Sequence, residues 1–171
     1  MLFSKGEWVL NRKILLCCFL LLSFLVLFCS PVHFLMIRSA DGSLLAAYPM
    51  RGGEKFSVRY IHSVQKTPVL EIFRLDFREG IELRETVYTD FGAGLPFLVE
   101  GRAVFESGGG KFRIYGIQRH LPDIVFRVGR FADYRLLFRE RDIPFTQFEK
   151  PGKPLRFTGE RHPFFVSSFF S

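Results

Sequence analysis

The stretch Tyr60-Ile61-His62-Ser63-Val64-Gln65-Lys66-Thr67-Pro68-Val69-Leu70-Glu71 decides how the rest of this chain folds. It sits between two runs that alternate apolar and polar residues, the period of a half-buried strand, so it reads as two strands and their connection. Before it, Lys55 to His62 places Phe56, Val58, Tyr60 and His62 on one face. After it, Val69, Glu71, Phe73 and Leu75 share a face, so Glu71 points to the apolar side. Next, Ile81, Leu83, Glu85 and Val87 repeat that arrangement. A histidine and two glutamates on core-facing positions are costly unless they find partners.

Working outward, turn residues recur at short intervals. Asp41-Gly42 and Arg51-Gly52-Gly53 bracket a strand at 44–48, and Glu79-Gly80 separates the strands at 69–77 and 81–89. Gly108-Gly109-Gly110 joins 103–106 to 111–117, and further short strands are expected at 124–128 and 134–138. No run after residue 41 holds a helical period for ten residues, so the expected fold is all-β, a small antiparallel sandwich or partly open barrel. After Pro144 the prolines and glycines suggest an extended, irregular segment. The apolar end, Pro163 to Phe170, reads either as a closing strand or as a segment dipping into a membrane surface.

The N-terminal part differs in kind. Arg12-Lys13 precede an apolar run that continues, past Ser30-Pro31, to Ile37. Residues 14–37 are long enough to cross a hydrocarbon core of about 30 Å as one transmembrane helix. No Ala-x-Ala site ends the run, and Phe28 before Cys29 argues against a lipid-modified cysteine. The expectation is an uncleaved signal anchor with residues 1–13 cytoplasmic and residues 41–171 forming the extracytoplasmic domain. The formal net charge of +7 splits into +3 before residue 41 (Lys5, Arg12, Lys13 and Arg38 against Glu7) and +4 after it. That mild excess is interleaved with apolar residues and gives no reason to expect nucleic acid. All three cysteines, Cys17, Cys18 and Cys29, lie in the apolar run, so the later chain has neither disulfides nor thiolate metal ligands.

Neighbouring strands would bring His62, Glu71 and Glu85 to one end of the interior. Four readings stay open there: a buried network that fixes register, a pocket for a polar small molecule, a one-histidine metal site, and acid–base catalysis by His62 with Glu71 or Glu85. The candidate ligand-binding set is His62, Lys66, Glu71, Glu85, Gly92 and Gly94; no metal, cofactor or assigned catalytic residue is expected. Ser63 is a poor nucleophile for His62, because adjacent strand residues point to opposite faces. Phe91-Gly92-Ala93-Gly94-Leu95-Pro96 lacks the third glycine of a dinucleotide fingerprint. Its glycines fit a loop whose backbone N–H groups approach an anion.

The run Tyr60 to Glu71, the Phe91–Pro96 loop, and Arg127-Val128-Gly129 with Asp133-Tyr134-Arg135-Leu136-Leu137 resemble an uncharacterised bacterial family, domain of unknown function 1850, over residues 42–140. Gln65 stands where that pattern suggests an acidic residue, and the Phe-rich end lies outside the resemblance. Members are often encoded beside TRAP transporters of the TAXI type. The resemblance therefore implies a membrane-anchored accessory role, with transporter subunits or a solute-binding protein as partners, and no established activity.

Overall fold

In the computed structural model, residues 5–76, 80–89 and 102–163 are described, with side chains in the helix described at 12–26, 28 and 29. The Gly92–Gly94 loop and the end beyond Pro163 lie outside the described residues. The chain divides into two compact units, residues 1–32 with 162–171, and residues 33–161.

The first unit contains helix α1 (Lys5–Cys29). Large apolar side chains from Ile14 to Phe28 are exposed around it. Its one polar side chain in the described apolar part, Ser23, returns its hydroxyl to the Phe19 carbonyl at 2.8 Å, and just beyond the helix Ser30 does the same to Val26. Among the described residues no helix is long and apolar enough to cross a membrane.

The expected single span to Ile37 is divided. Pro31 has no N–H to continue the helical ladder, and its ring disfavours helical geometry at Ser30. The chain enters strand β1 (Pro31–Arg38) instead. Phe34, Leu35, Met36 and Ile37 are all buried. A strand buried on both faces does not alternate, which is why this run reads like part of a span. The β domain thus begins before residue 41.

The second unit has two sheets. One is four-stranded, in the order β2 (Leu44–Met50), β1, β11 (Pro154–Pro163) and β8 (Asp123–Arg127). The other is seven-stranded: β10 (Arg141–Pro144), β9 (Arg135–Phe138), β3 (Lys55–Ile61), β4 (Pro68–Asp76), β5 (Gly80–Tyr88), β7 (Lys111–Leu121) and β6 (Val104–Gly108). The sheets are open and antiparallel rather than a closed barrel, in line with the sandwich expectation. Alternating residues, among them Leu35, Ile37, Phe56, Phe73, Leu75, Phe126 and Phe157, form the main core cluster. Burying that apolar area is the dominant stabilising term.

The segment expected to be irregular after Pro144 holds a central strand. Pro154 starts β11, where a missing donor costs least, and Leu155 and Phe157 point inward. The polar run Thr158-Gly159-Glu160-Arg161 hides the strand from a pattern search. A tight approach occurs at the start of β5. Gly80 has φ +92, and a Cβ there would stand 2.8 Å from the Leu121 carbonyl oxygen. Gly80→Ala is expected to cost roughly 2 kcal/mol through backbone strain and this clash, read as a lowered denaturation midpoint.

Candidate functional site

The decisive stretch forms a tight turn between β3 and β4. His62 N–H donates to the Thr67 carbonyl at 2.8 Å, and Lys66 N–H returns to the His62 carbonyl at 3.0 Å. Lys66 closes the turn at φ +58, a left-handed conformation that non-glycine residues seldom take. The His62 ring folds back on this turn: Nδ1 accepts from the Val64 and Gln65 amides, each at 3.3 Å. It therefore acts as a local cap, with Nδ1 as acceptor and the ring N–H at Nε2.

A second segment is tied to the same end of the domain. The Ile61 N–H donates to the Ala132 carbonyl at 2.6 Å. Gly129 packs so tightly on Ala132 and Tyr134 that a Cβ would collide with the Ala132 methyl. The loop then delivers Tyr134 onto Tyr60, with ring centroids 4.8 Å apart and 22° between planes. Two sequence-distant stretches, 60–71 and 127–137, are thereby joined at one place.

Glu71 lies beneath the tyrosines. In register, Val58 is across from it on β3 and the buried Thr86 is across on β5. Its core-facing orientation is as expected. The carboxyl is mostly buried without being sealed, and burial pushes it up to about 7. Burial, then the Glu71 charge, raises the phenols of Tyr60 and Tyr134. Among the described residues, none of these three side chains has a hydrogen-bond partner. Thr67 Oγ1, at the start of the same strand face, is also buried and unpartnered.

Glu85 does not join them. Opposite the step from Ile72 to Phe73, β5 carries an extra residue: Phe73 pairs with Leu83, yet Ile72 pairs with Glu85, leaving Arg84 as the bulge. A bulge shifts the alternation by one. From there Thr86 and Tyr88 face the core, while Glu85 turns outward and meets Arg113 at 2.5 and 3.0 Å. The expected convergence of His62, Glu71 and Glu85 is thus replaced by a cap, an inner carboxyl and an outer ion pair. Among the described residues no group of three metal-ligand side chains occurs.

Glu82 is the acidic residue that sequence reasoning missed. It is only 2% exposed, gripped by Arg74 at 2.5 Å and Arg84 at 2.8 Å, with His120 Nε2 at 3.9 Å. Glu82→Ala strands two half-buried guanidinium groups and is expected to cost about 1–3 kcal/mol. Arg113→Ala breaks only a half-exposed pair, at most about 1 kcal/mol. Denaturant titration of both variants checks that order; equal losses would refute it.

A profile of the family described as Domain of unknown function (DUF1850) matches residues 56–145. The chain belongs to this family. The DUF1850 match contains nearly the whole seven-stranded sheet together with β8, and it covers both stretches that meet at the Tyr60–Tyr134 stack. Of the four-stranded sheet, β1, β2 and β11 fall outside it. No curated protein matches the chain, and neither does any solved structure.

Proposed function

We propose that this DUF1850 chain is a membrane-anchored, extracytoplasmic accessory domain for a solute transporter of the TRAP type, without catalysis of its own. The observation that carries the anchor is helix α1. In sequence, Ile14 to Cys29 has no charged residue, and the described apolar side chains face outward on every side. A helix apolar all round needs an apolar solvent, and the two serine hydroxyls already bonded to backbone carbonyls suit a medium without water. At 1.5 Å per residue, 16 residues span roughly 24 Å, with Arg12 and Lys13 placed to reach the headgroups.

For the partner contact we assign the turn end of the β domain. Val64 and Phe131, the latter 87% exposed, flank it with Lys66 and Arg130. An aromatic tip beside cations suits a protein surface that covers it. His62 engaged as a cap and Glu85 turned outward give no support to a hydrolytic pair.

The test uses the full chain. Alkaline extraction should leave it in the membrane pellet, whereas a Leu20→Arg/Leu21→Arg variant should be released. With Cys17, Cys18 and Cys29 changed to serine, Phe131→Cys should react with an impermeant maleimide from outside intact cells. Transporter subunits should copurify with the wild type and be lost with Val64→Glu/Phe131→Glu. Unchanged solute uptake on deletion, together with no copurifying subunit, sinks the accessory role.

A further inference from the structure

The interior of the turn end holds polar groups that the accessory role does not use. Glu71 is an acceptor-only group when ionised, placed among Val58, Val69 and the stacked rings of Tyr60 and Tyr134. Groups of this kind are ordinarily hydrogen-bonded in a folded protein, and each exception asks for an explanation. Here the exceptions are clustered. The carboxylate, the two phenols and, at the start of the same strand face, the Thr67 hydroxyl have no hydrogen-bond partner among the described residues.

Their chemistry is selective. A carboxylate with no cation paired to it among the described residues attracts a positive charge bearing N–H donors. The Tyr60 ring beside it favours the same charge through its quadrupole, while Tyr134 is itself stacked on both Tyr60 and Phe145. Apolar walls exclude a strongly hydrated inorganic ion and accept a short hydrocarbon body. The site is reachable, because Glu71, Tyr60 and Tyr134 each keep some exposure.

We propose that Glu71, Tyr60 and Tyr134 form a binding site for an organic cation, a primary ammonium or an amidinium on a small apolar frame. Glu71 takes the charge, Tyr60 packs on the cation or its carbon frame with Tyr134 stacked behind it, and Thr67 lies toward the outer end of the strand face. This site stands independently of the anchor and the transporter contact.

The experiment is thermal unfolding of the purified full chain with butylammonium, benzamidinium and tetramethylammonium chlorides, and sodium butyrate as the anionic control. Butylammonium or benzamidinium should raise the melting temperature saturably by 2 °C or more, since a ligand that binds the folded state stabilises it. Tetramethylammonium, lacking N–H donors, should raise it less, and butyrate should not raise it. Glu71→Gln should abolish the rise while melting cooperatively. A carbon-13 NMR titration of the Glu71 carboxyl should show benzamidinium holding it ionised at lower pH, which reports the contact even if the variant is poorly folded. No rise with either N–H cation, an equal rise in Glu71→Gln, or an unmoved titration would overturn the site.

Discussion

Phe157→Ala should remove about 3–5 kcal/mol of stability and leave the β domain unfolded at physiological temperature. Phe157 is 0% exposed on β11, the strand that joins the two halves of the smaller sheet. Its ring lies 5.3 Å from Phe145 and 5.4 Å from Phe126, the latter edge-on at 85°, and 6.4 Å from Phe56 on the opposite sheet. Truncation loses the transfer free energy of the ring and leaves a cavity. The lining residues are aromatic and fixed by their own contacts, so they cannot collapse to fill it. Equilibrium denaturation of the full chain measures the loss. Phe157→Leu, which keeps most of the volume, should cost clearly less. A loss below 1 kcal/mol for alanine would mean that β11 does not hold the core together.

The second large effect is on pH. Glu71 has an ordinary value of 4.5 and is raised to about 7 in the fold by burial. Between those values the folded chain retains a proton that the unfolded chain has released, so stability falls as pH rises through this window. The contribution is present in full below about 4.5 and is lost once the folded carboxyl ionises. At 1.36 kcal/mol per pKa unit, the swing is about 2–3 kcal/mol after discounting for residual exposure. Asp41 and Glu54 move the other way, held down by a Ser39 hydrogen bond and an Arg139 hydrogen bond respectively, and lose stability only in stronger acid. His33 is lowered by burial and then by Arg161, so its contribution falls as pH drops and opposes that of Glu71. The readout is therefore the difference between wild type and Glu71→Gln at pH 5 and pH 8.5. The variant should be the more stable at pH 8.5, with that advantage gone at pH 5. Parallel pH profiles would show that Glu71 does not titrate in the window.

Much of the larger sheet was legible because its strands are buried on one face and alternate. Phe56-Val58-Tyr60 and Val69-Glu71-Phe73-Leu75 face the core as their spacing implies. Three features escaped. β1 is apolar without alternation, so it merged with the preceding run. The polar residues of β11 masked its alternation, and its place in the sheet depends on pairing with β1 and β8, which are distant in sequence. At Arg84 the period of two breaks, and local pattern cannot register the extra residue. In the site, Glu71 was found because an acid on an apolar face is conspicuous. Tyr60 looked like ordinary core, and its stacking on Tyr134 rests on a contact between residues far apart in the chain. The one available signal was that both tyrosines fall in the stretches that carried the family resemblance.

The bulge at Arg84 behaves like a reading frame. Upstream, odd-numbered positions of β5 look inward; downstream, even-numbered ones do. Deleting that single residue would join Leu83 directly to Glu85, opposite Phe73 and Ile72, so a regular strand would keep Glu85 outside and Thr86 and Tyr88 inside. Flattening the bulge with Arg84 retained would instead carry Glu85 into the core and expel Thr86 and Tyr88. Among relatives, aligned columns of this strand therefore keep a common meaning on both sides of Arg84 where the extra residue and the bulge are present or lost together. A gap of one elsewhere in the strand, with no bulge to absorb it, exchanges inside for outside along the rest of the strand.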